Sequence, residues 1–233
     1  MTVAVGEIIQ NAVLFDLKNW SNTVPDANSL NQSVELLFKV LSERGIDYLL
    51  VGGVALLSYV EGRNTQDIGF IVSRSALATL PELVITEENR DFARGNFWEV
   101  QIDLWLTSNA LFELVQKSYA TERQFGNLKI RTVTVEGLIV LKLYALPSLY
   151  RQGKFDKVSI YETDILLLLL EYEVDIGKLL KLVSSYILPS DFNEIEQVIE
   201  DIQKRKKRFR LDLENEPQPD ALSRIDEAYG DQS

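Results

Sequence analysis

The sequence predicts an α/β (α+β) protein, a mixed β-sheet core followed by an α-helical C-terminal half. Two observations carry this. Residues 48–72, YLLVGGVALLSYVEGRNTQDIGFIV, read as strand, glycine turn, short apolar helix and second strand. Short strand-like segments then recur as far as Val133, whereas every segment from Val135 onward has helical spacing.

The elements follow in order. In a leader over residues 1–28, Ile9, Val13, Leu17 and Trp20 could share one helical face, and Pro25 and Asn28 break it. Ser29 or Asn31 can cap a helix over 34–44, with Leu36, Leu37, Val40 and Leu41 inward and Gly45 as terminator. The strand at 48–51 ends in Gly52-Gly53. A helix over 55–60, a strand over 67–72 and a helix from Arg74 come next. Strands are expected over 83–86, 91–97 and 99–106, a helix over 110–117 and a strand over 128–133. Helices over 137–145, 161–172, 176–186 and 192–208 complete the chain. The organisation is thus a leader (1–28), a core (29–134), a helical domain (135–210) and an acidic, flexible tail (211–233).

Composition narrows the chemistry. The 233 residues are 46% hydrophobic, enough for a substantial core. The absence of cysteine excludes disulfides, thiolate zinc sites and cysteine nucleophiles. The absence of histidine excludes Ser-His-Asp catalysis and histidine bases. Carboxylates, Lys, Tyr, Ser or a bound metal must do any chemistry. The N-terminus lacks the basic start of a secretory signal, and the longest apolar run, 165–170, is too short for a bilayer, so a cytoplasmic protein with no membrane partner is expected. A net charge of −11 disfavours broad nonspecific binding to nucleic acid. The run Lys204-Arg205-Lys206-Lys207-Arg208 reads as a solvated helix end whose charges suit the helix dipole, with a nucleic-acid patch as the alternative.

Strand alternation decides which groups can converge. Over 67–72, Asp67, Gly69 and Ile71 share one face. On VQIDLWL, Val100, Ile102, Leu104 and Leu106 form an apolar face, with Glu99, Gln101, Asp103 and Trp105 opposite. A charged Asp inside an apolar strand needs a partner or a metal, because burying an unpaired charge is costly. Asp67 could equally be a turn acid.

The combination of Gly52-Gly53, then Arg63-x-Thr65-x-Asp67, then Asp103 on a later apolar strand resembles the signature of the nucleotidyltransferase superfamily. The resemblance implies a nucleotidyltransferase-fold core. Gly52 and Gly53 would hold the triphosphate of an NTP, Arg63 and Thr65 would contribute to nucleotide binding, and Asp67 and Asp103 would bind Mg2+ or Mn2+. In that family three carboxylates hold two ions about 3.5–4 Å apart. The segment 134–170 further resembles the abortive-infection (AbiEii-type) toxin nucleotidyltransferases. Lys142, Arg151 and Asp164 match a lysine over the triphosphate, an arginine, and an acid that orients the lysine or positions the nucleotide. The bland readings are a helix-surface lysine at 142 and an N-cap acid at 164. On the functional reading, Lys142→Ala is expected to abolish NTP-induced thermal protection while leaving the unliganded Tm nearly unchanged. The resemblance covers roughly residues 33–170. It implies an RNA or protein hydroxyl as acceptor and an antitoxin as partner.

One departure stands out. The second acid of the family's D-x-D pair is expected at position 69, where this chain has Gly69. Glu99 could in principle reach inward to replace it, but it lies roughly 13 Å along the strand from Asp103, which disfavours that rescue. Two readings stay open: a transferase impaired by Gly69, and a noncatalytic nucleotide-binding or protein-interaction module of the same fold. Gly69→Asp is expected to complete the pair and restore magnesium-dependent transfer.

Overall fold

The computed structural model describes residues 27–60, 68–98, 100–125 and 128–215. Its centre is a seven-stranded sheet in the order β3-β4-β5-β2-β1-β7-β6. The strands are β1 (Tyr48–Val51), β2 (Ile68–Val72), β3 (Leu83–Glu88), β4 (Phe92–Phe97), β5 (Val100–Leu106), β6 (Ala120–Phe125) and β7 (Leu128–Val133). The sheet is mixed, as expected: β2 runs parallel to β5 and β1 parallel to β7, while the other neighbours are antiparallel. β5, β2 and β1 lie side by side. Both central strands are buried along their whole length, so they read as continuous apolar runs.

The two faces of the sheet are covered differently. Helix α1 (Ala27–Glu43) packs on one face, where Phe38 meets Phe70 edge-to-face and Tyr48 at a tilt of 48°. The inward positions of α1 are Val34, Leu37, Phe38 and Leu41. The predicted inward Leu36 is 39% exposed, because the buried stripe follows i, i+3, i+4, i+7 from Val34. The helix also starts before the predicted caps Ser29 and Asn31, which lie within it. Gly45 ends it in the left-handed region at φ 60°.

The other face carries Gly69, Asp103 and Trp105. Two short helices, α2 (Gly52–Leu56) and α3 (Arg74–Leu77), leave the ends of β1 and β2. Thus α2 begins at the glycines themselves rather than at Ala55. Helix α4 (Ala110–Ser118) lays Phe112 against Trp105. Its N-cap Asn109 accepts from the backbone N–H groups of Leu111 and Phe112 and donates to the Tyr144 hydroxyl at 2.9 Å.

The C-terminal half is a helical layer: α5 (Val135–Arg151), α6 (Phe155–Glu171), α7 (Ile176–Val183) and α8 (Pro189–Asn215). Helix α5 starts at the Thr134 cap and packs against α6, α7 and α8. It runs through Pro147, beyond the predicted stop at Ala145. Leu146 and Pro147 are buried, so packing outweighs one backbone hydrogen bond lost in the last turns. Helix α6 begins six residues before the predicted Tyr161. Its Glu162 accepts from the Tyr150 hydroxyl at 2.6 Å and pairs with Arg205 of α8 at 3.3 Å. The basic run 204–208 therefore lies inside α8, not at its end. Lys204 pairs with Asp201 at 3.0 Å. The first residues of the predicted tail, 211–215, are helical. The rest of the tail and most of the leader lie outside the described residues. Among the described residues, no helix is long and apolar enough to cross a membrane.

Candidate functional site

The pairing register builds one row of side chains across five strands. Glu87 of β3 faces Arg94 of β4, Arg94 faces Asp103 of β5, Asp103 faces Gly69 of β2, and Gly69 faces Val51 of β1. Cross-strand partners share a face, and neighbouring strands lie about 4.8 Å apart. The position where the resemblance expects an acid is thus immediately beside Asp103. The row leads to the turn after β1, where Gly52 adopts φ 76°, a conformation that glycine takes without strain.

Asp103 is not solitary. The Arg94 Nε donates to its Oδ1 at 2.6 Å and Nη2 donates to Oδ2 at 3.2 Å, a two-pronged ion pair. Both side chains are partly exposed. They sit directly opposite each other on an antiparallel pair, so the sheet itself fixes the contact. Across the row, β3 carries a bulge between Ile85 and Glu87, and Thr86 Oγ1 donates to the Arg94 carbonyl at 3.2 Å.

This row floors a cleft of about 1060 Å³ between the sheet and the helical layer. Gly52, Gly53, Gly69, Arg94 and Asp103 line it from the sheet side, and Lys142, Arg151, Lys154, Lys157 and Tyr161 from the helices. Phe92, Trp105, Phe112 and Tyr144 form a chain of ring contacts along another wall, with centroids 5.3–6.2 Å apart.

Lys142 and Asp164 form a pair of a different kind. Lys142 Nζ donates to Asp164 Oδ2 at 2.7 Å, with side chains 6% and 0% exposed. The ammonium also sits 4.4 Å from the Tyr161 ring centroid. Neither bland reading of these two residues holds: Lys142 is buried, and Asp164 lies well inside α6 rather than at its cap. That burial argues against a silent Lys142→Ala in the unliganded protein, because the truncation would strand a buried carboxylate. At the cleft margin, Arg151 Nη1 donates to Asp191 Oδ1 at 2.7 Å.

The structure therefore brings Gly52, Gly53, Asp103 and Lys142 to one cleft, with Asp164 behind the lysine. The sequence-predicted Asp67, Arg63 and Thr65, and the weaker candidate Glu99, lie outside the described residues. Among the described residues, no three acidic side chains stand together as a metal site. Of the two acids expected to hold metal, Asp103 is described and paired with Arg94, and Asp67 lies outside the described residues.

Sequence reasoning missed Arg94 and the aromatic wall. The signal for Arg94 was present: strands 92–97 and 100–106, joined through the two residues Trp98-Glu99, place Arg94 opposite Asp103.

An antigenic nucleotidyltransferase-like protein from Paracoccidioides brasiliensis superposes with a TM-score of 0.50 at 16% identity, over 82% of this chain and 94% of that one. The fold is nucleotidyltransferase-like. Lower similarity is found to the antibiotic-resistance factor ANT(2'')-Ia. Its solution structure gives a TM-score of 0.41 at 11% identity, over 77% of this chain and 95% of that one. Its complex with adenylyl-2''-tobramycin gives 0.39 at 12% identity, over 75% and 98%. No protein-family model and no curated protein matches the sequence. In this nucleotidyltransferase-like fold, the cleft lies where the sheet meets the helical layer.

Proposed function

We propose that this chain binds a nucleoside triphosphate in the cleft and is a nucleotidyltransferase-like protein of the abortive-infection group, with transfer impaired at Gly69. The observation that carries the reading is the convergence of Gly52-Gly53, Gly69, Asp103 and Lys142 on one cleft, with Gly69 and Asp103 in direct register. Glycines let backbone approach a phosphate closely, and Lys142 offers a fixed positive charge held by Asp164. Arg63, Thr65 and Asp67 belong to the same proposed site, with Arg63 and Thr65 on the nucleotide. The acceptor on this reading is an RNA or protein hydroxyl, and an antitoxin is the expected partner. The group's chemistry uses Mg2+ or Mn2+. Loss of one metal-binding acid lowers the transfer rate by about 100-fold to 10,000-fold, since each 1.4 kcal/mol of lost transition-state stabilisation is about a factor of ten.

The second reading, a binding module without turnover, is favoured by one observation: Arg94 clamps the carboxylate that catalysis would need. One experiment separates the outcomes. The intact protein is heated with each of the four NTPs, and labelled NTP is offered with total RNA and protein. Thermal protection by an NTP supports the cleft reading, and slow label transfer places the chain among impaired enzymes. Protection without transfer supports the binding module. Absence of protection by any NTP at millimolar concentration rejects both forms of the proposal.

A further inference from the structure

The proposed triphosphate site uses the charged row of the cleft floor and leaves the rings beside it without a role. Trp105 lies two residues beyond Asp103 on the same face of β5, about 6.7 Å along the strand. Phe92 of β4 stands opposite Trp105, as Arg94 stands opposite Asp103. The sheet thus presents two adjacent rows to one cleft, a charged one and an aromatic one, and both rings line it. Phe112 is fully buried behind them and supports the aromatic row rather than offering it a surface. Phe92 differs. Its ring meets Trp105 at 6.2 Å and Phe112 at 5.3 Å, both edge to face, and 42% of the residue remains exposed. Its backbone is held by the turn before it: the Phe92 N–H donates to Asn89 Oδ1 at 2.9 Å, and the Phe92 carbonyl accepts from the Asn89 N–H at 2.8 Å. A half-exposed ring held in place inside a cleft keeps apolar surface in water that a flat ligand would remove from it favourably.

We infer that Phe92 and Trp105 form the platform on which the base of the bound nucleoside triphosphate stacks. The inference rests on the reading that the cleft binds a nucleoside triphosphate, and it assigns the other end of that ligand. A nucleotide carries its charge at one end and its flat ring at the other, and the cleft is divided in the same order. Gly69 pairs with Val51, next to the glycine turn, whereas Trp105 pairs with Ile71, two residues farther from that turn. Phosphates at Gly52-Gly53 and a base at the rings therefore lie along one direction of the sheet face. Asp91 immediately precedes Phe92 and also lines the cleft. An acid beside the rings disfavours a phosphate there and suits the uncharged end of the ligand. Aromatic side chains offer a face to any base, so the platform holds the base by stacking and does not read its edges.

The test is calorimetric titration of the full chain with each of the four NTPs and with inorganic tripolyphosphate, all in excess Mg2+. Phe92→Leu keeps apolar bulk in the cleft and removes the ring. It should weaken every NTP that binds by about tenfold or more, the order of a lost base–aromatic stack, and change tripolyphosphate by less than about threefold. Phe92→Tyr restores the ring and should return the NTPs to within about threefold of the wild type. A second readout leaves Phe92 in place and carries the test if the leucine variant misfolds. The chain has three tryptophans, so Trp20→Phe/Trp98→Phe leaves Trp105 as the sole indole. A bound NTP should quench its emission, and tripolyphosphate should not. NTP affinity untouched by Phe92→Leu, an equal loss for NTP and tripolyphosphate, or Trp105 emission that a bound NTP leaves unaltered would overturn the inference and leave the nucleotide-binding reading standing. Failure of the wild type to bind any of the four NTPs would remove that reading and this inference together.

Discussion

Lys142 and Asp164 hold opposite charges inside the helical layer, and desolvation makes such a pair costly to break. Lys142→Ala leaves the carboxylate buried without its ammonium. The expected loss is about 3–5 kcal/mol, a fall of roughly 10 °C in Tm. Lys142→Met/Asp164→Leu removes both charges at similar volume and should recover most of that stability. Thermal unfolding of the two variants checks this: a silent Lys142→Ala would mean that the pair is solvated. Gly69 behaves differently. Its backbone is not left-handed, and an added Cβ would meet Val51 O at 3.4 Å and Asp103 O at 3.8 Å, ordinary contacts. Gly69→Asp should therefore fold and lose little stability. Tyr48 is the third residue whose surroundings set its chemistry. Burial pushes its phenol up to about 12, from about 10 in the unfolded chain. Its neutral form is thus favoured by folding. The contribution, about 2–3 kcal/mol, is complete below pH 10 and lost as pH rises towards 12. Tyr48→Phe should flatten the drop in Tm between pH 10 and 12; an unchanged drop would assign the alkaline instability elsewhere.

Most elements were legible where alternation or helical spacing was strong. β5 is the clearest case, with every second residue buried from Val100 to Leu106. β6 was not foreseen, because ATERQF has no alternating apolar face and sits at the sheet edge, held by pairing to β7. The end of α5 was misplaced because packing carries helix through buried Pro147, and the start of α6 because its first turn, 155–157, is exposed and carries no buried stripe before Val158. The site residues on strands were placed by alternation, yet their partners were not. The Arg94–Asp103 contact depends on hairpin register, which a reading strand by strand does not supply. That hairpin also gives a prediction. At Gly95 a Cβ would stand 2.6 Å from the backbone oxygen of Val84, beside the β3 bulge. Gly95→Ala should cost about 1–3 kcal/mol. It should also raise hydrogen exchange over residues 83–97 ahead of the central strands. Uniformly unchanged exchange would show that β3 can move aside without cost.

At the scale of the molecule, the sheet and the helical layer meet along the cleft, and both line it. The outline of this site, two glycines, Asp103, Lys142 and Asp164, was readable because each stands at a position its neighbours make conspicuous. What the residues do to one another was not. Burial of the lysine pair arises only when two helices pack, and capture of Asp103 by Arg94 only when the hairpin register is set. The central claim is that a nucleoside triphosphate bridges the two layers. Hydrogen–deuterium exchange of the intact chain with and without saturating ATP tests it most directly. The account predicts slowed exchange at Gly52–Leu56, at 93–95 and in α5 around Lys142, with no comparable change on the α1 face of the sheet. Protection confined to one layer, or found on the α1 face, would contradict it.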